Sequence, residues 1–86
     1  MSEDTFTGGS DVETRRAEYV IYRVLPDGER VRLQAVDVDE DTPDEAARAD
    51  AADTLAGFRA DRPERTYQMV RRTVTTFTIH SEEHIA

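Results

Sequence analysis

Tyr22, Arg30, Arg32 and Arg72 are the residues of this chain whose types best suit recognition of another molecule. An aromatic ring flanked by guanidinium groups is a favoured anchor at protein interfaces, and on an open sheet it can stack and clamp single-stranded nucleic acid. The structural alternative is that the arginine stems lie over Tyr22 and shield a half-exposed sheet. The Gly-aromatic strand of sheet-based RNA binders is absent. A second cluster, Asp37, Asp39, Asp41 and Asp44, offers the carboxylate oxygens that hard cations want. Counting Asp37 as position one of a calcium loop, position six is Thr42 where glycine is needed. Position twelve is Arg48 where a bidentate glutamate should sit. These acids are expected to be solvated and to serve the start of a helix, not to hold metal.

The third pattern is His80-Ser81-Glu82-Glu83-His84. In the form H-x-x-E-H it resembles the zinc motif of inverzincin peptidases, where histidines one helical turn apart bind zinc and a glutamate acts as general base. The resemblance covers five residues, follows a strand-like segment, and has no third ligand downstream. A solvated tail is the expectation, with no metal site. No Ser-His-Asp order, phosphate-cradling loop or dinucleotide fingerprint occurs, and cysteine is absent. The sequence therefore points to a non-enzymatic protein with no catalytic residues and no cofactor.

Composition narrows the partner. Of 86 residues, 19 are Asp or Glu and 11 are cationic, all arginine, for a net charge of −8. Nucleic acid and anionic membranes repel such a domain as a whole, although a local basic face is compatible with it. No apolar run approaches the roughly 20 residues of a membrane span, and the N-terminus is acidic where a secretory signal is basic. A cytoplasmic protein is expected.

The elements that must position these residues follow from pattern. Residues 1–15 combine Gly8, Gly9, Ser, Thr and acids without periodicity, the composition of a flexible tail. Ala17–Leu25 and Val31–Val38 are rich in β-branched and aromatic residues and predict two strands. Pro26-Asp27-Gly28 between them predicts a three-residue hairpin loop with Gly28 in the left-handed region. That loop pairs Leu25 with Glu29, Arg23 with Val31, Ile21 with Leu33 and Tyr19 with Ala35 on one face. On the other it pairs Val24 with Arg30, Tyr22 with Arg32 and Val20 with Gln34. Thr42 as N-cap, Pro43 as first helical residue and Glu45 completing a capping box predict a helix. Its apolar stripe is Ala47, Ala51, Leu55 and Phe58.

Arg65–Ile79, with no Gly, Pro or Asn, predicts one long strand of about 50 Å at 3.3 Å per residue. A right-handed crossover then gives an α+β fold: hairpin, helix and long strand (ββαβ), antiparallel sheet order 2-1-3, one helix on one face. The single domain spans 16–80, and 81–86 form a C-terminal tail. The expected core is Tyr19, Ile21, Leu33, Leu55, Phe58, Tyr67 and Met69. Val20, Tyr22 and Val24 then face an uncovered side, with Val70 and Val74. Because one helix covers one face only, the sequence predicts a protein-interaction module. It would be homodimeric through its open sheet face or its long final strand, with Val20, Tyr22, Val24, Arg30, Arg32 and Arg72 meeting the partner. The alternatives are an acidic inhibitor that presents carboxylates in place of nucleic-acid phosphates, and a sheet-face nucleic-acid binder.

Overall fold

The computed structural model describes residues 15–76 and 78–86, so the expected tail falls, Arg15 apart, outside the described residues. Strands β1 (Arg16–Val24) and β2 (Arg30–Asp37) form the first hairpin. Gly28 closes it at φ +91°, a conformation that lacks the Cβ penalty only in glycine. Gly28 N donates to Leu25 O and Leu25 N to Glu29 O, both at 2.8 Å. Helix α1 (Asp44–Asp61) follows, then β3 (Thr66–Val74) and β4 (Ile79–His84). The sheet order is β2-β1-β3-β4 with every neighbouring pair antiparallel. The predicted 2-1-3 arrangement with one helix stands, extended by a fourth strand.

That fourth strand corrects the single long strand. The chain reverses after Val74, with Thr75 N donating to Thr78 O at 2.9 Å, and returns along β3. Cross-strand charge favours the return, because Arg71 lies opposite Glu83 and Arg72 opposite Glu82. The last two residues are ordered by it as well. Ile85 N donates to Met69 O at 2.9 Å and Ala86 O accepts from Met69 N at 2.9 Å, while Ile85 packs against the core. Residues 81–84, expected in a tail, are the body of β4.

The hairpin register holds from the loop to Tyr22–Arg32 and then slips by one residue. Ile21 lies opposite Gln34, Val20 opposite Ala35 and Tyr19 opposite Val36, which leaves Leu33 as the extra residue of a β-bulge. The slip ejects Leu33 from the predicted core; it is 38% exposed, and Val36 and Val38 take its place beside the helix. The helix-side core is Tyr19, Ile21, Ala47, Ala51, Leu55, Tyr67 and Met69, with Phe58 at its margin, stacked on Tyr67 at 5.7 Å between ring centroids. The alanines of the buried stripe let α1 approach the sheet closely.

The helix start also differs. Pro43 is the N-cap, with no side-chain cap hydrogen bond, and Asp44 is the first helical residue. No side chain fills the capping role expected of Thr42; Asp39 Oδ1 instead accepts from the amides of Asp41 (2.9 Å) and Thr42 (2.8 Å), building the turn before the helix. Asp44 instead accepts from Tyr19 Oη at 2.5 Å and Arg71 Nε at 3.3 Å, tying the helix to β1 and β3. Those two donors hold its carboxyl below the usual carboxylate range. Burial and then the Asp44 contact push the Tyr19 hydroxyl up.

Candidate interaction surfaces

Strand alternation sends Val20, Tyr22 and Val24 of β1 away from the helix, and β3 adds Gln68, Val70 and Arg72 to the same side through direct pairing. Val20, Tyr22 and Val70 form a second small apolar cluster, with Ala35 packed against it. Val20 is fully buried and Tyr22 is only 6% exposed. The expected open apolar face is therefore closed within the chain.

A cage of polar side chains helps to close it. The Arg30 guanidinium sits 4.1 Å from the centroid of the Tyr22 ring, and that of Arg72 sits 5.7 Å away. Arg72 Nη2 donates to Tyr22 Oη at 2.6 Å. Arg30 Nη1 donates to Glu82 Oε1 at 3.1 Å and to Gln68 Oε1 at 3.3 Å, and Nη2 donates to Glu82 Oε2 at 3.3 Å. This hydrogen bonding to Glu82 raises the Arg30 pKa further above its usual value. Arg30 belongs to one outer strand and Glu82 to the other. In a flat sheet those strands lie about 14 Å apart, so the pair bridges the full width of the sheet. Both outer strands take part in irregular pairing, at Leu33 and between Thr73 and Val74 on the β3–β4 ladder, and bulges bend a strand and increase its twist.

Beneath the cage, Glu18 is buried at 6% exposure between Arg16 (3.6 Å) and Arg72 (4.0 Å). Arg72 Nε lies 3.6 Å from Glu82 Oε2 and is buried without a hydrogen-bond partner. The charges balance while the geometry leaves one donor unmade, a cost tolerated where two carboxylates neutralise the group.

The structure thus brings together Tyr22, Arg30, Arg72 and Val20 from the predicted set and separates the other two. Val24 lines a groove of about 650 Å³ at the hairpin end with Leu25, Pro26 and Arg65. Arg32 lines one of about 430 Å³ with Arg16, Glu18 and Ile79. Glu18, Gln68 and Glu82 were absent from the predicted set. The signal for Glu82 lay in the paired dipeptides Arg71-Arg72 and Glu82-Glu83, complementary across a reversal. With its ring under Arg30, Tyr22 offers no free face on which a base could stack.

The remaining patterns resolve into fold chemistry. His80 and His84 lie on a strand, where residues four apart are about 13 Å from each other and cannot share one ion. Among the described residues no group of three His, Cys, Asp or Glu side chains is placed to hold a metal. Asp37 accepts from Arg16 Nη1 at 3.3 Å, and Asp39 and Asp44 are engaged as described above. No helix among the described residues is long and apolar enough to cross a membrane.

Comparison with protein-family models, curated proteins and solved structures gives no match. Function must therefore be argued from the surface itself, and one surface stands apart from the cage. Strand β2 is an outer strand, and Arg30–Gln34 are all exposed along it. Among them Val31 is 43% and Leu33 38% exposed. The other outer strand, β4, is polar along Ser81–His84, with Ile79 its one large exposed apolar side chain.

Proposed function

We propose that this chain is a non-enzymatic, cytoplasmic protein-interaction module that takes up an extended strand of a protein partner along the outer edge of β2. The observation that carries the reading is the exposed apolar pair Val31 and Leu33 on an edge strand with no neighbour on its outer side among the described residues. Main-chain donors and acceptors along such an edge supply affinity in strand addition, and alternate side chains supply selectivity. Natural proteins usually guard an edge of this kind because it templates association. Arg32 gives the β2 edge a cationic group within an acidic chain, which steers the choice of strand without closing the edge.

Arg32→Pro tests this reading. The alternation of the β1–β2 ladder, fixed by the Leu25–Glu29 and Ala17–Val38 bonds, points the Arg32 amide outward. Proline there removes a donor from the edge and none from the fold. In affinity capture from the source cells, strand addition predicts a partner that is retained by the natural chain and lost with Arg32→Pro at unchanged circular dichroism. Equal recovery by both proteins refutes it.

A further inference from the structure

We infer that the strand taken up by β2 is β2 of a second copy, antiparallel about a two-fold axis perpendicular to the sheet. In this dimer Arg30 lies opposite the partner's Asp37, Val31 opposite the partner's Val36 and Arg32 opposite the partner's Ala35. The inference rests on the reading of β2 as a docking edge and adds its occupant and register.

The bulge at Leu33 is what selects this register. A two-fold of this kind sets residues directly opposite one another whose side chains point to the same face. In an unbroken strand, strict alternation allows this only between residues an even number apart. The bulge changes the parity of β2 half-way along. Arg30 and Arg32 lie on the caged side, opposite Val24 and Tyr22. Ala35 and Asp37 lie on that same side, opposite Val20 and Glu18. Val31 lies on the helix side opposite Arg23, and Gln34 and Val36 are there too, opposite Ile21 and Tyr19. The first half of one β2 therefore matches the second half of the other only in an odd register. Centring the axis between Leu33 and Gln34 sets each of Arg30, Val31 and Arg32 opposite a residue of its own face. Moving the centre one residue toward Ala35 sets Gln34 against Ala35 from opposite faces.

Main-chain geometry is consistent with the same pairing. The Leu25–Glu29 and Ala17–Val38 hydrogen bonds at the two ends of the hairpin fix which β2 residues bond inward to β1. By alternation, Arg30, Arg32, Ala35 and Asp37 turn their N–H and C=O groups outward. These are the four residues that the proposed register sets opposite one another, so each matched pair can exchange its bonds. Side-chain character agrees, because Val31 and the partner's Val36 put apolar against apolar on the helix side. The product is an eight-stranded sheet with a closed two-fold joint, which does not propagate into fibres as a head-to-tail contact does.

The experiment uses the full chain, which has no cysteine of its own. Val31→Cys and Val36→Cys proteins are mixed and oxidised, with each alone as control. Within one chain these positions are about 16 Å apart, and across the joint they form a close pair of the wider ladder spacing, within disulfide range. The dimer predicts a disulfide-linked species from the mixture, with either single protein giving at most a trace. Equal linkage by a single protein overturns the register.

Light scattering on the natural chain, paired with amide exchange at Arg30, Arg32, Ala35 and Asp37, distinguishes failure of the dimer from failure of the docking edge. Dimer mass with at least tenfold slowed exchange at these amides, relative to Arg32→Pro at its three remaining sites, supports the inference. Monomer mass with fast exchange overturns the dimer and leaves β2 free for another protein's strand. Monomer mass with slow exchange means that the chain covers its own edge, and both readings fall.

Discussion

Val20→Ala and Leu33→Ala exchange the roles that hydropathy alone would assign them, and comparing their stabilities tests the bulge on which the edge depends. Val20 is fully buried in the cluster beneath the arginine cage. Truncation removes two methyl groups, about 1.6 kcal/mol at about 0.8 kcal/mol for each carbon. A residual void of roughly 40 Å³ adds about 1 kcal/mol. The expected loss is therefore about 2–3 kcal/mol, or a fall in Tm on the order of 10–20 °C for a domain of this size. Leu33 projects from the bulge with 38% of its surface exposed, and its truncation should cost no more than about 0.5 kcal/mol. Urea unfolding followed by circular dichroism, in protein dilute enough that association contributes nothing, measures both. A Leu33→Ala loss of 2 kcal/mol or more, the range for a packed leucine, would mean that the hairpin runs without a bulge, whatever Val20→Ala costs, because Val20 is buried against Val70 of β3 in either register. The edge argument would then fail with it.

Arg72→Ala should destabilise by about 2–4 kcal/mol, because it leaves the buried Glu18 carboxylate with only the half-exposed Arg16 and removes the buried partner of Glu82 and Tyr22, whereas Arg30→Ala at the half-exposed strap should cost about 1 kcal/mol or less; equal losses in urea titration would contradict the burial difference. Asp44 has a folded pKa below its ordinary value of 3.8, so its contribution is present above that value and disappears as pH falls through the folded one. Asp44→Asn should flatten the acid limb of the stability profile below about pH 4.5, with a loss at neutral pH of about 1 kcal/mol or less because the group is half exposed. Tyr19 runs the other way: its pKa is raised above 10.0, so its contribution is present below pH 10 and is lost as pH climbs through the folded value. Tyr19→Phe should remove that alkaline fall, seen in fluorescence-monitored unfolding at pH 9–11. Deleting residues 82–86 takes half of β4, the Met69 main-chain partners and Ile85 together, and should leave a chain with no cooperative thermal transition.

The local punctuation of the chain carried much of this fold. Pro26-Asp27-Gly28 announces its hairpin because glycine alone takes φ +91° without strain, and the alanine and leucine stripe of α1 has no competing period. What escaped was decided by tertiary contacts. Nothing in Thr73–Thr78 breaks a strand, and the reversal is fixed by charge pairs to residues ten or more positions away and by Ile85 reaching the core. The bulge at Leu33 has no glycine to mark it; it arises because Val36 and Val38, not Leu33, fit under the helix. The partner-facing set was half legible for the same reason. Tyr22 with Arg30 and Arg72 follows from strand alternation, but the Glu82 that locks them arrives on a strand the sequence did not disclose.

The most direct test of β2 as a self-pairing edge is an isotope-filtered nuclear Overhauser experiment on a mixture of ¹³C-labelled and unlabelled natural chain. The account predicts a cross-peak between the Val31 and Val36 methyl groups that appears only between chains, since five residues of extended strand separate them within one. A spectrum at high concentration with no inter-chain peak at either valine would contradict it.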